Sequence, residues 1–183
     1  MSALIILSEG AEELETITVA DVLARAGIKV TLGGLQGSGV VKCSRGVGIQ
    51  ADVALQSVAS KLYDVVVMPG GLGGAKAMAS SDLVGKLVRA HYDAGKYVAA
   101  ICAAPMGLQS HKIALGKKLT CYPSCKDTVP DFNYCEDSVV VDGNLVTSRG
   151  PGTAMPFALK LVELLMDKNT AHKIASGMLV EYS

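Results

Sequence analysis

The stretch YVAAICAAP, residues 97–105, decides the fold of this chain. Tyr97–Ile101 is a short apolar run of strand length, and Cys102 follows it directly. The small residues after Cys102 let the backbone reverse sharply, and Pro105 suits the first turn of a helix, where its missing N–H costs little. We therefore predict a buried strand, an elbow at Cys102 and a helix.

The rest of the chain alternates between apolar strands and helices. The predicted strands are Ala3–Leu7, Ile28–Leu32, Asp64–Met68, Val139–Val141 and Leu145–Thr147, with a glycine-rich loop from Gly33 to Gly39. The predicted helices are Glu13–Ala26, Ala75–Ala79, Ser81 or Asp82 to Ala94, Gly150 to about Met166, and about Thr170–Ser176. Strands that are apolar throughout are typical of a parallel sheet covered on both faces. The predicted class is α/β: a doubly wound, mostly parallel, flavodoxin-like sandwich in a single domain, 1–183, plus a small side hairpin from Val40–Arg45 and Val47–Ala51.

Composition and charge exclude several functions. Half of the 183 residues are hydrophobic, 19% are charged, and the formal net charge is zero. A basic surface for sequence-specific nucleic-acid binding is therefore not expected, and no run of about 20 apolar residues could span a membrane. No targeting peptide is visible, so we expect the five cysteines to be reduced thiols in the cytoplasm. We predict no metal or cofactor, because the spacing of Cys121 and Cys125 suits apolar fillers or surface thiols better than zinc ligands.

Cys102 is the candidate for reactive chemistry. In doubly wound sheets the ligand crevice lies beyond the carboxyl ends of the strands, which is where this elbow falls. A helix N-terminus next to the sulfur favours the thiolate and is expected to lower the thiol pKa. Proton transfer needs a partner, and four glutamates follow the first strand: Glu9, Glu12, Glu13 and Glu15. Their positions alone do not select one of them.

A glycine-rich loop, Pro69–Gly74, follows another predicted strand. Its glycines permit positive φ and expose backbone N–H groups to an oxyanion. The loop lacks the Gly-Lys-Ser/Thr of a phosphate loop, and the dinucleotide fingerprint is missing after the first strand. The histidines at positions 91, 111 and 172 are predicted to be surface residues.

Several long motifs occur in one order along the chain. They are GAEELE (10–15), RAGIKVT (25–31), CSR (43–45), YDVVVMPGG (63–71), AAICAAP (99–105) and TSRGPGT (147–153). In these motifs the chain resembles the ThiJ/PfpI superfamily and, within it, the protein deglycases linked to Parkinson disease. The segments between the motifs are most similar to animal members, insect ones included.

The resemblance implies roles that the residues alone left open. It selects Glu15 as the protonated partner of the Cys102 sulfur, and it assigns oxyanion donors to the backbone N–H groups of Gly71 and Ala103. It implies a homodimer whose interface includes Leu14, Arg25 and Arg45. It also implies glutathione-independent glyoxalase or deglycase activity on methylglyoxal or its protein and nucleotide adducts, and sensing of oxidative stress. The nucleus and mitochondrion are added to the cytoplasm as expected locations.

The chain departs from the family pattern at two positions. Tyr122 stands where many vertebrate members have a histidine, and a tyrosine is a poor base at neutral pH although it can orient a substrate. Gln50 stands where some relatives have a second oxidisable cysteine, so regulation through that position is not expected.

Three further hypotheses accompany the enzyme. The chain could be a redox sensor and chaperone-like binding protein that uses the oxidation of Cys102. A cysteine peptidase or amidotransferase is disfavoured, because Ala103 follows the cysteine and no histidine lies in 148–166. A scaffold with an incidental cysteine is the remaining alternative.

Overall fold

The computed structural model describes residues 1–183, which form a central sheet between two layers of helices. The strands are β1 Ser2–Leu7, β2 Lys29–Gly34, β3 Val40–Lys42, β4 Gly48–Gln50, β5 Val53–Ala54, β6 Val65–Met68, β7 Tyr97–Ile101, β8 Lys118–Leu119, β9 Asn133–Tyr134, β10 Val139–Asp142 and β11 Leu145–Ser148. The helices are α1 Glu13–Arg25, α2 Leu55–Val58, α3 Leu72–Ala79, α4 Asp82–Asp93, α5 Pro105–Ser110, α6 Ala154–Leu165 and α7 Lys168–Gly177. Two 3-10 helices, Pro123–Thr128 and Pro151–Thr153, complete the secondary structure.

The main sheet has the strand order β10-β11-β7-β6-β1-β2-β5, and every pair except β10–β11 is parallel. Strands β3 and β4 pair antiparallel as the predicted side hairpin. The predicted α/β class is therefore confirmed. The carboxyl ends of β1, β6 and β7 meet at one edge of the sheet, which brings the loops after these strands together.

Both faces of the sheet are buried, because alternate side chains of each strand enter different cores. Leu4 and Ile6 of β1 pack into a cluster of 23 buried residues with α3, α4 and α5. Ile5, from the same strand, packs into a cluster of 20 buried residues with α1, α6 and α7. This double burial is the reason for the continuous apolar strand sequences.

Four local predictions were wrong or incomplete. Strand β2 continues through Gly33 and Gly34, which were assigned to a loop. A 3-10 turn precedes α6, so that helix begins at Ala154 rather than at Gly150. The short elements α2, β5, β8 and β9 were not predicted. His91 is fully buried and not at the surface: its Nε2 accepts from the Tyr63 N–H at 3.0 Å, and its Nδ1 lies 2.8 Å from the Leu87 carbonyl.

Candidate active site

The elbow at Cys102 is held in the left-handed region of backbone space. Its φ is +63°, a conformation that costs a non-glycine residue roughly 1–2 kcal/mol. Two hydrogen bonds fix this geometry: the Cys102 N–H donates to the Ser148 carbonyl at 3.0 Å, and the Cys102 carbonyl accepts from the Tyr122 N–H at 2.9 Å. Strained backbone of this kind is concentrated at functional sites. The side chain emerges partly exposed, while Ile101 and Ala103 on either side are buried.

Two backbone amides point at the sulfur. The N–H groups of Gly71 and Ala103 hydrogen-bond the Cys102 side chain, and both bonds act to lower its pKa. Pro105 begins α5, as predicted, so the chain leaves the elbow directly into a helix. The sulfur therefore has donors from two different loops, the arrangement that stabilises negative charge on sulfur or on an attached oxygen.

The glycines at 70 and 71 are required by close packing. Gly71 has φ +81°, and a Cβ there would lie 2.2 Å from the Gly10 carbonyl oxygen. A Cβ at Gly70 would lie 2.5 Å from the Cys102 Cβ and 2.7 Å from Glu15 Oε2. Only a loop without side chains can bring an amide, a thiol and a carboxyl this close together.

Glu15 lies in the first turn of α1 and is completely buried. Its Oε2 accepts a hydrogen bond from the Gly70 N–H at 2.7 Å. Its Oε1 is buried and makes no hydrogen bond within the chain, although the carboxyl does interact with the Cys102 side chain. A proton on Oε1 would convert this unsatisfied acceptor into a donor, and the sulfur is the neighbouring group that can receive it.

The other three glutamates have different partners. Glu12 is the N-cap of α1, and its Oε2 accepts from the Glu15 N–H at 2.8 Å. Glu13 accepts from the Ser44 hydroxyl at 2.9 Å and from the Arg45 N–H at 2.8 Å. Burial acts to raise the pKa of Glu13, but its hydrogen bonds outweigh burial and lower that pKa. Glu9 bonds the backbone at the sheet edge. Of the four, Glu15 is therefore the one that faces the cysteine.

Glu15 and Cys102 form a coupled acid–thiol pair. Burial, assisted by the negative charge of Glu12, raises the pKa of Glu15 to about 7, although the Gly70 N–H and Cys102 act in the opposite direction. Burial and the charge on Glu15 raise the pKa of Cys102 to about 12. The prediction that the helix N-terminus lowers the thiol pKa is therefore wrong, because burial and the charge on Glu15 have larger effects. Because the hydrogen bond between them favours the ionised carboxyl while the charge on Glu15 disfavours the thiolate, we assign the two titration steps to the pair, which carries one negative charge above the first step.

A cavity of about 550 Å³ opens over the sulfur. It is lined by residues 10, 12, 44, 45, 71–73, 102, 103, 122, 124, 125 and 151. The ring of Tyr122 is 45% exposed at this cavity and packs on Gly150, whose Cβ would lie 3.2 Å from the ring. Tyr122 is thus placed to contact a ligand without contacting the Glu15 carboxyl. Sequence reasoning missed that Cys125 lines the cavity and that Glu12 caps α1. Glutamate is not among the preferred N-cap residues, so the sequence carried no strong signal for that cap.

No histidine lines the cavity. His91 is in the core, His111 Nε2 lies 2.9 Å from the Met78 carbonyl, and His172 packs edge-on against Tyr182. The site therefore has no Cys–His pair. No group of three or more metal-ligating side chains is arranged to hold an ion, and no helix has the length and apolarity to cross a bilayer.

The three residues predicted at a dimer interface are all exposed, and only one of them, Arg45, lies at the cavity. Leu14 is 50% exposed on α1, and Arg25 pairs with Asp21 at 3.1 Å on the same helix. Arg45 is exposed and lines the cavity. Their role in an interface stays a prediction.

Comparisons with known proteins agree with one another. A family model described as the DJ-1/PfpI family matches residues 1–164. The protein dj-1beta of Drosophila melanogaster is 56% identical, covering 100% of this chain and 98% of the relative. The glutathione-independent glyoxalase DJR-1.2 of Caenorhabditis elegans is 41% identical, covering 90% and 88%.

Solved structures give the same result. The crystal structure of Drosophila melanogaster DJ-1beta has a TM-score of 0.97 at 56% identity and covers 99% of this chain and 98% of that one. The structure of oxidized Toxoplasma gondii DJ-1 has a TM-score of 0.95 at 37% identity, with 99% of each chain covered.

Proposed function

The chain belongs to the DJ-1/PfpI family, as its motifs predicted, and from that premise we propose that it is a cysteine-dependent glyoxalase and deglycase acting on methylglyoxal or its adducts. One observation carries the proposal: the Cys102 sulfur, two amide donors and the buried Glu15 carboxyl meet at one cavity. The glyoxalase name of the Caenorhabditis elegans relative supports the same class of substrate.

The reaction begins when the proton of the Cys102 thiol passes to the Glu15 carboxylate, which leaves the sulfur as the thiolate and Glu15 as the acid. The thiolate adds to the aldehyde carbon of methylglyoxal and forms a C–S bond. As the sulfur loses its charge, the N–H groups of Gly71 and Ala103 stabilise the new alkoxide, which takes the proton of Glu15 to give a hemithioacetal.

The Glu15 carboxylate then transfers a proton between the two carbons. It removes the hydrogen of the former aldehyde carbon as a proton and delivers it to the neighbouring carbon. The proton of the hemithioacetal hydroxyl passes to the neighbouring carbonyl oxygen, which leaves a lactoyl thioester on Cys102. Water attacks the thioester, lactate leaves, and the thiolate and the protonated carboxyl are restored. The sum is methylglyoxal plus water giving lactate and one proton, with no external oxidant or reductant.

The deglycase activity uses the same first step on a larger substrate. Cys102 attacks the sugar-derived carbon of a glycated amine, thiol or base, and the repaired group leaves with a proton. The cavity supports this extension, because about 550 Å³ is in the range of pockets that hold ligands much larger than a three-carbon dicarbonyl. Tyr122 and Arg45 at the cavity are available to orient such a ligand.

The direct test is lactate formation from methylglyoxal without glutathione. We expect Cys102→Ser to abolish it, while Cys135→Ser, which changes a half-buried thiol outside the cavity, keeps the wild-type rate. A Cys102→Ser protein that makes lactate at the wild-type rate rules the proposal out.

A second proposed function is sensing of oxidants by the same sulfur. Cys102 is partly exposed in the cavity, and a protonated Glu15 can donate a hydrogen bond to a sulfinate oxygen and favour that state over the sulfonate. The structure of an oxidized relative supports this reading. Mass spectrometry after mild peroxide tests it. Equal sulfinate accumulation in the wild type, Glu15→Gln and Glu15→Leu removes the reason for assigning this role to Glu15.

We further propose a homodimer through the outer face of α1. Leu14 and Ile17 are about half exposed and lie one helical turn apart, which leaves an apolar strip on that face. Light scattering should give a dimer for the wild type and a monomer for Leu14→Asp. A wild-type monomer at micromolar concentration contradicts the proposal.

A further inference from the structure

Three cysteines surround one end of the cavity. Cys102 and Cys125 both line it, and Cys121 is buried behind Cys125. Burial and the charge of Cys125 together raise the pKa of Cys121 to about 11, so these two thiols are close enough to influence each other. The mechanism proposed above uses Cys102 alone, which leaves Cys125 as an unused thiol in the wall of the same cavity.

A short backbone path connects Cys102 with Cys125. The Tyr122 N–H donates to the Cys102 carbonyl at 2.9 Å, and the Cys125 N–H donates to the Tyr122 carbonyl at 2.8 Å. One residue, Tyr122, therefore bridges the two cysteines through hydrogen bonds on both sides. A disulfide needs Cα atoms roughly 4.4–6.8 Å apart, so a small shift of the Cys125 segment across these two hydrogen-bonded steps is what the reaction requires.

The segment that carries Cys125 can adjust its position. Cys125 lies in the 3-10 helix Pro123–Thr128, a type of helix with weaker hydrogen-bond geometry than an α-helix. Most residues of this helix are exposed, and Cys125 is the buried one. Its exposed residues leave a small shift of this turn toward the elbow less restrained than a shift of a buried helix, although Cys125 itself packs into the cluster of 23 buried residues. Cys102, by contrast, is fixed at both its N–H and its carbonyl.

We propose that Cys125 is the resolving thiol for oxidised Cys102, an inference that rests on the oxidant-sensing function of Cys102 proposed above. A hydroperoxide oxidises the Cys102 thiolate: the sulfur takes the distal oxygen, the O–O bond breaks, and the alcohol or water leaves. The Cys125 sulfur then attacks the sulfenic sulfur, the S–O bond breaks, and the hydroxyl leaves as water with the Cys125 proton. A Cys102–Cys125 disulfide remains, which a cellular thiol reduces by exchange.

Disulfide formation with Cys125 determines which oxidised form of Cys102 the protein accumulates. Without a resolving thiol, the sulfenic acid reacts with a second hydroperoxide and becomes the sulfinate. With Cys125 in the cavity wall, the sulfenic acid is captured within the molecule, and lactate formation returns on reduction. Sulfinate then accumulates only when the second oxidation of Cys102 is faster than formation of the disulfide with Cys125.

The test compares the full-length wild type with Cys125→Ser and Cys125→Ala after limited hydrogen peroxide. The products are alkylated in denaturant and mapped by mass spectrometry. Trypsin cleaves after Lys118 and Lys126, so Cys121 and Cys125 fall in one peptide, and Cys121→Ser is needed to tell them apart. Cys135→Ser is the matched control outside the cavity.

We expect a peptide containing Cys102 linked to the 119–126 peptide in the wild type, in Cys121→Ser and in Cys135→Ser. Both Cys125 variants should lose the link and accumulate Cys102 sulfinate at least about threefold faster. Equal sulfinate rates with no linked peptide in the wild type overturn the inference while oxidant sensing stands. A link that persists in the Cys125 variants assigns the capture to Cys121 and also overturns it. A Cys102 that peroxide does not oxidise overturns both proposals.

Discussion

Gly70→Ala should damage the site although it adds a single methyl group. The new Cβ would lie 2.5 Å from the Cys102 Cβ, about 1 Å inside the usual contact distance, and 2.7 Å from Glu15 Oε2. Cys102 cannot retreat, because hydrogen bonds hold its N–H and its carbonyl. The displacement therefore falls on the Glu15 carboxyl, which loses its 2.7 Å hydrogen bond from the Gly70 N–H.

Overpacking of this kind costs about 1–3 kcal/mol, and the lost hydrogen bond adds about 1 kcal/mol. At roughly 2–4 °C per kcal/mol for a chain of this size, the melting temperature should fall by about 4–16 °C. Displacing the carboxyl by about 1 Å should lower kcat/KM for lactate formation by roughly a hundredfold.

The control is Gly39→Ala, because nothing lies within 4 Å of a Cβ there. Thermal unfolding followed by circular dichroism and a coupled lactate assay measure both effects. If Gly70→Ala has the same melting temperature as Gly39→Ala and forms lactate at the wild-type rate, the packing around Glu15 and Cys102 described above is wrong.

Three further predictions concern charge. Glu12→Gln keeps an oxygen acceptor for the Glu15 N–H but removes the negative charge that helps to raise the pKa of Glu15. The acidic limb of the kcat/KM profile near pH 7 should therefore move to lower pH, and a limb that stays in place contradicts this role of Glu12. Because the folded-state pKa of Glu15 is raised from 4.5 to about 7, its contribution favours folding below pH 4.5 and is lost as pH rises through 7. In urea unfolding, the free energy of unfolding of Glu15→Gln should rise relative to that of the wild type by on the order of 2–4 kcal/mol between pH 5 and pH 8. A difference between the two proteins that stays constant with pH argues against a buried carboxyl. Burial lowers the pKa of His91, so the wild type should lose stability as pH falls below 6.5. His91→Gln should be less stable than the wild type at neutral pH but should not lose stability in this way on acidification. If the free energies of unfolding in urea fall in parallel for the two proteins across that pH range, this effect of His91 is excluded.

The elbow at Cys102 could be predicted because its signals are local. A strand end, small residues and Pro105 are adjacent in the sequence, and the structure forms the strand and helix at the predicted residues. The choice of Glu15 could not be made from the residues alone. It depends on the phase of α1, which the Glu12 cap sets, and on the approach of Gly70 from another loop. The resemblance to a family supplied that choice.

The wrong predictions have specific physical causes. His91 was assigned to the surface because it lies inside a helix predicted to be at the surface, yet it continues the buried stripe of α4 formed by Val84, Leu87 and Val88 at helical spacing. The thiol pKa was judged from the helix end alone, but burial and the charge of Glu15 have larger effects and depend on distant parts of the chain. Gly33 was assigned to a loop, although a Cβ there would lie 2.9 Å from Leu55, which explains a glycine inside a strand.

The rate of Cys102 alkylation by iodoacetamide as a function of pH tests the central claim most directly. If the carboxyl and the sulfur share one negative charge above the first titration of the pair, the wild type should show a first rise in alkylation rate near pH 7, below the ordinary thiol value of 9.0, and a second rise near pH 12. Glu15→Gln should show a single step. A wild type that reacts in one step above pH 9, unchanged by Glu15→Gln, contradicts the account.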